Sequence, residues 1–108
     1  MNFIKKTISI LIALFFSFAL ALPVSAKVEG DTIVLGAAVS LTGKYSTNGE
    51  HTRNGYNMAV KRINDMGGVT VEGKSYKFDI IYYDDESDSS RAAQLAERLI
   101  KQDGVHYM

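Results

Sequence analysis

Two changes of hydrophobic period, in the same order each time, decide what this chain is able to build. Thr32 to Val39, TIVLGAAV, is apolar on both parities after Thr32, as a strand covered on both faces should be. From about Glu50 to Met66 the period becomes helical. Tyr56, Ala59, Val60, Ile63 and Met66 fall on one stripe, and Arg53, Asn57, Lys61 and Asp65 run down the opposite side. Gly67 and Gly68 supply the left-handed residues that end a helix. Val69 to Lys77 reads as a small hairpin turning at Glu72-Gly73. Phe78 to Tyr83, FDIIYY, is then a second strand. A second helix starts near Ser87 or Asp88, either of which can cap it, and presents Ala92, Leu95, Ala96, Leu99 and Ile100 on one stripe. Gly104 closes it and Val105, Tyr107 and Met108 open a third apolar run.

Strand, helix, strand, helix, strand predicts an α/β fold with a parallel sheet, flanking helices and right-handed crossovers. Ligands of such sheets bind beyond the carboxyl ends of the strands. Two stretches fall at that edge, residues 40 to 49 and residues 84 to 88.

The first, SLTGKYSTNG, holds two glycines, five hydroxyl side chains, one amide and no carboxylate. Ser40, Thr42, Tyr45, Ser46, Thr47 and Asn48 offer hydrogen bonds without fixed charge. Gly43 and Gly49 would let the backbone approach a ligand, and the helix N-terminus that follows favours an anionic group such as a carboxylate. No histidine, cysteine or acid stands in the loop to serve as base or nucleophile. It suits holding a small polar molecule better than breaking one, and it also reads as a solvated connection with a capping hydroxyl. Gly43 and Gly49 have the outer spacing of a phosphate-binding loop, but Glu50 stands where lysine is needed, and a dinucleotide fingerprint needs three closer glycines.

The second stretch, Asp84, Asp85, Glu86 and Asp88, admits two readings. Carboxylates at a strand's end can hold Mg²⁺, and acids before a helix complement and cap its N-terminus. No phosphate loop accompanies them, which favours capping. His51 and His106 lack ligand spacing to each other. Of Tyr82 and Tyr83, one must face a packed side of its strand.

The ends frame this unit. Lys5 and Lys6 precede an uncharged, mostly apolar run, Thr7 to Leu22, and Pro23 and Val24-Ser25-Ala26 follow it. Charged start, short apolar middle and small-residue exit make residues 1 to 26 a signal peptide cleaved after Ala26. The run is shorter than the roughly 20 apolar residues of a comfortable membrane span. The chain has no cysteine, so a lipid-anchored N-terminus and a disulfide are both excluded, and export without disulfides fits a bacterial periplasm. Residues 27 to 108 keep all 12 acids against 10 bases, because Lys5 and Lys6 lie in the leader. That balance gives no electrostatic reason to expect nucleic acid or an anionic membrane as partner. A unit of this size buries only about 60% of its unfolded surface. With an apolar run just beginning at Val105, residues 27 to 108 are expected to be the N-terminal part of a first α/β lobe in a longer protein.

Taken together, IVLGAAVSLTGKYSTNGEHTRNGYNMAVKRIN and DMGGVTVEGKSYKFDIIYYDDESDSSRAAQLAERLIKQDGVHYM resemble the periplasmic solute-binding proteins of ABC importers, in particular the branched-chain amino acid (Leu/Ile/Val-type) group. The resemblance covers residues 31 to 108. Its most specific parts are the S-L-T-G loop, N-G-x-x-x-A-V-x-x-I-N at 54 to 64, the Gly pair, and Y-D-D before the second helix. It implies a type I periplasmic-binding-protein lobe, here incomplete, with solute bound between two lobes that close on a hinge. Carried onto this chain, it makes Tyr45, Ser46, Thr47 and Asn48 the ligand-binding candidates, with Asn48 best placed before Gly49. It implies no catalysis, no cofactor and no metal, a periplasmic location, and two partners: an amino acid or similar small amide-like solute and an inner-membrane permease. The alternatives are a sensory receptor module of the same fold and a Mg²⁺-dependent α/β enzyme using Asp84, Asp85 and Glu86.

Overall fold

The computed structural model describes residues 26–108. The leader reading rests on residues 1–25, which lie outside the described residues. The element order is β1 (Val28–Glu29), β2 (Thr32–Val39), α1 (Ser46–Asp65), β3 (Val69–Val71), β4 (Lys74–Asp84) and α2 (Ser89–Lys101). The strands form one sheet in the order β1-β2-β4-β3.

The expected parallel pairing lies at its centre. β2 and β4 run side by side from Thr32 opposite Lys77 to Val39 opposite Asp84. Both flanking strands are antiparallel, so the sheet is mixed. β1 is too short for any periodicity to show, and it lies within the polar lead-in; Gly30, at φ 64°, turns it onto β2. β3 joins β4 through Glu72 (φ 50°) and Gly73 (φ 81°), two left-handed residues that match the twist of a tight hairpin. The arm that returns from this hairpin does not stop before Phe78. It continues to Asp84 as one strand, pairing first with β3 and then with β2. Sequence reading split β4 because Lys74 to Lys77 carry too many polar residues to look like the start of a buried strand.

The two faces of the sheet are packed unequally. Against one face lies α2, and Val34, Leu99 and Val105 form the closed core, with Ile81 and Tyr83 packed on them. Leu99 and Val105 are wholly buried; burial of each side chain contributes about 1.5–3 kcal/mol. Gly36 makes room here, since a Cβ on it would come within 2.9 Å of Leu99. Ile100, assigned to the same stripe from the sequence, is half exposed, because it sits at the edge of the buried arc. After α2 the chain returns along β2, where Gly36 N–H donates to Tyr107 C=O (3.0 Å). One rung is not a ladder, and residues 105–108 form no strand.

On the other face α1 stands off the sheet. Polar contacts tie it down: Tyr82 Oη donates to Asn57 Oδ1 (2.8 Å), and the Asn64 side chain both donates to Phe78 C=O and accepts from Phe78 N–H (2.8 Å each). Gly67 and Gly68, both at positive φ, close the helix with bonds to Asn64 and Ile63 carbonyls, the crossed pattern of a left-handed C-cap. Between helix and sheet runs an open apolar groove of about 1140 Å³, with Ile33, Leu35, Phe78 and Ile80 on one wall and Val60 and Ile63 on the other. Met66 and Tyr56, expected on the buried stripe, are 70% and 48% exposed. Among the described residues no helix is long and apolar enough to cross a membrane.

Candidate functional site

Because β2 and β4 end in register, Val39 opposite Asp84, the segments that follow them leave the sheet side by side. Residues 40–45 and 85–88 form a single rim there, held by side chains of the acidic stretch.

Asp84 accepts four hydrogen bonds. Its Oδ1 takes the N–H groups of Leu41 (2.9 Å), Thr42 (3.2 Å) and Glu86 (2.9 Å), and its Oδ2 takes the Thr42 hydroxyl (2.7 Å). Donors on a carboxylate favour its charged form, so Asp84 is held below the usual carboxylate range, chiefly by the Thr42 hydroxyl. Asp85 is buried. Its Oδ1 accepts from the Ser40 hydroxyl (2.6 Å) and from Ser87 N–H (2.9 Å). Ser87 reaches back in turn: its hydroxyl donates to Thr42 C=O (2.7 Å) and accepts from Tyr45 N–H (3.0 Å). Glu86 and Ser87 both adopt positive φ, 55° and 62°, to make this crossing. Gly43, at φ 85°, passes so close that a Cβ would lie 2.8 Å from Glu86 C=O.

These bonds decide between the two readings of the acids. Asp84 and Asp85 are spent on the backbone of the rim, Glu86 pairs with Arg91 (3.0 Å), and Asp88 caps α2 by accepting from Arg91 N–H (2.7 Å). They do not converge, and among the described residues no group of three potential ligands is placed to hold a metal ion. Capping by Asp88 is as expected. Ser87, the other candidate cap for α2, serves α1 instead.

The four ligand-binding candidates sit at the start of α1, four residues earlier than the periodicity had placed the helix. Ser, Thr, Asn and Gly are weak helix formers, and their run disguised the first turn. Tyr45 is the N-cap residue and Ser46, Thr47 and Asn48 follow inside the helix. Tyr45 and Asn48 line the groove where it opens on the rim; Ser46 and Thr47 do not. No side chain of the helix's own cap satisfies its N-terminus, and its first turn holds no acid. The Lys44 ammonium lies 4.7 Å from the centre of the Tyr45 ring. The end of α1 is thus partially positive, with no carboxylate of its own first turn to offset it. Gly49 lines the same groove, and it has a packing task as well. It lets the helix cross the strand end, since a Cβ on it would lie 1.7 Å from Ser40 C=O.

Tyr82 and Tyr83 face opposite sides, each with a helix partner. Tyr83 Oη donates to Asp103 Oδ2 (2.8 Å) beneath Arg98, 4.6 Å from the ring centre. This bond to a carboxylate, together with burial, raises the phenol's pKa. Tyr82 is raised chiefly by burial. Both rings are occupied with packing. His51 and His106 are exposed.

A central parallel strand pair between two helices, with small hydroxyl and amide groups at its carboxyl rim, defines part of an α/β ligand-binding lobe. Residues 32–108 match the periplasmic binding protein family, and the chain belongs to that family. It is a family of binding proteins and not of enzymes. Over 107 residues, 96% of the chain, it is 33% identical to a leucine-, isoleucine-, valine-, threonine- and alanine-binding protein of Pseudomonas aeruginosa, and covers 26% of that protein. Among solved structures it is similar to the branched-chain amino acid transporter substrate-binding protein LivJ of Streptococcus pneumoniae in complex with isoleucine. That likeness has a TM-score of 0.60 at 28% identity, and covers 68% of this chain and 20% of that one. A putative branched-chain amino acid ABC transporter protein of Silicibacter pomeroyi gives a TM-score of 0.60 at 30% identity, covering 69% of this chain and 18% of that one. The chain therefore spans about a quarter of the curated relative and about a fifth of the solved ones.

Proposed function

We propose that residues 27–108 are the beginning of the first lobe of an exported solute-binding protein. In the intact protein the lobe walls a cleft that takes a branched-chain-type amino acid or a similar small amide-like solute, and an ABC permease receives the solute. Tyr45, Ser46, Thr47 and Asn48 are the residues of this segment that face the solute. Membership of a periplasmic binding family supports a location outside the cytoplasm. The same proposal makes residues 1–26 a leader removed after Ala26, so the exported protein begins at Lys27.

The observation that carries this reading is the first turn of α1. It offers uncharged donors and acceptors at the strand rim beside a helix N-terminus that has no acid in its own first turn. Such a site suits a carboxylate, and neutral groups fix its orientation without the long-range pull of a full charge. The test is a thermal-shift panel on the intact protein with amino acids, short amides and urea-like solutes. A true solute at a hundred times its Kd stabilises by about 2.7 kcal/mol, an easily read rise in melting temperature. The reading fails if no compound in the panel stabilises the protein.

A further inference from the structure

The acidic stretch, read from the sequence as either a metal site or a set of caps, does something else with two of its neighbours. Between them, Asp84 and Ser87 bind the N–H groups of Leu41, Thr42 and Tyr45 and the hydroxyl and carbonyl of Thr42. Every one of those groups belongs to the segment that delivers the chain into α1. Neither Asp84 nor Ser87 lines the groove. The Tyr45 N–H, at the N-cap of α1, finds its acceptor in Ser87, on the far side of β4 in sequence.

We propose that Asp84 and Ser87 are positioning residues for solute binding: they clamp residues 41–45 and so fix Tyr45 and Asn48 at the rim. The inference rests on the binding reading above and deepens it. A segment that bends at Gly43, and whose helix has no side-chain cap of its own, has no other anchor of this density at that end among the described residues. Released from the clamp, it samples several conformations, and the solute must then select the competent one, which weakens apparent affinity in proportion to its population. The clamp works through hydrogen-bond geometry and not through net charge. Asparagine at 84 keeps an oxygen for the three backbone donors, and its amide can donate to the Thr42 hydroxyl, so its shape is nearly preserved. Glycine at 87 removes the hydroxyl and still accepts φ 62°.

The experiment uses the intact protein and measures calorimetric affinity for L-isoleucine, or for the strongest stabiliser in the panel above, well below every variant's melting point. Amide hydrogen exchange at Leu41, Thr42 and Tyr45 is followed in parallel. Asp84→Ala and Ser87→Gly are expected to weaken binding by about tenfold or more and to accelerate exchange at those amides, while Asp84→Asn stays within about threefold of wild type. Asn64→Leu, which loosens the opposite end of α1, serves as the control for instability alone: it lowers the melting temperature and leaves affinity unchanged. The inference is overturned if wild type binds and Asp84→Ala and Ser87→Gly bind as tightly, or if Asn64→Leu weakens binding equally. A wild type that binds nothing in the panel removes the binding reading and the inference together, which separates the two failures.

Discussion

Glycines at 49 and 55 occupy the same helix and do opposite things. At Gly49 the backbone of α1 crosses the end of β2 so closely that a methyl group would overlap the Ser40 carbonyl, at 1.7 Å. At Gly55 nothing lies within 4 Å. Alanine at 49 therefore has to push helix and strand end apart, and we expect a loss of about 2 kcal/mol or more. Alanine at 55 relieves the entropy penalty of an interior helical glycine and should add about 0.5–1 kcal/mol. Denaturant titration of the two variants in the intact protein checks both signs; a harmless Gly49→Ala would show that the crossing is looser than the 1.7 Å approach requires. The sequence marks Gly49 for close approach and does not say to what, because close approach of backbone to backbone looks the same in one dimension as close approach of backbone to ligand. Asp84 and Ser87 illustrate the same limit. Their partners lie more than forty positions away, and no local pattern encodes such a pairing.

Helices and strands were legible to the extent that their periods were clean. β2, the body of α1, the later part of β4 and α2 all follow from apolar spacing. The hairpin at Glu72-Gly73 was legible from its turn, though not that its returning arm, Lys-Ser-Tyr-Lys, runs on into Phe78 as one strand. What periodicity missed was polar: the first turn of α1, written in Ser-Thr-Asn-Gly, and the two-residue β1. Each takes its conformation from a neighbour and not from its own propensity. The hold of α1 on the sheet is of this kind too. Asn64 closes both hydrogen bonds of the Phe78 peptide as a neighbouring strand would. Replacing it with leucine leaves a half-buried donor and acceptor unpaired. We expect Asn64→Leu to cost the intact protein about 2 kcal/mol, measured by chemical unfolding; a loss within error would mean that water replaces the amide freely.

Taken over all the described residues, the packing is lopsided. The α2 face is closed, and the α1 face holds an open apolar groove of about 1140 Å³. An apolar opening of that size is unusual for a lone monomer and invites association. Residues 27–108 produced alone should therefore bind a hydrophobic dye such as ANS strongly and self-associate, whereas the intact protein proposed above should do neither. Dye fluorescence with sedimentation tests this. A fragment that stays monomeric and dark would mean that α1 settles onto the sheet and the groove shuts. The fold class was plain from the alternation of elements; the imbalance between the faces was not, because the stripe on α1 reads as buried whether or not anything covers it.

The hydroxyl that satisfies Tyr45 N–H arrives 42 residues later. A ribosome adding about 5–20 residues per second needs roughly two to eight seconds to supply it. Throughout that interval the leading turn of α1 is born without its stopper. The front of this helix, although among the first parts of the unit to be made, waits for Ser87 before its anchor exists.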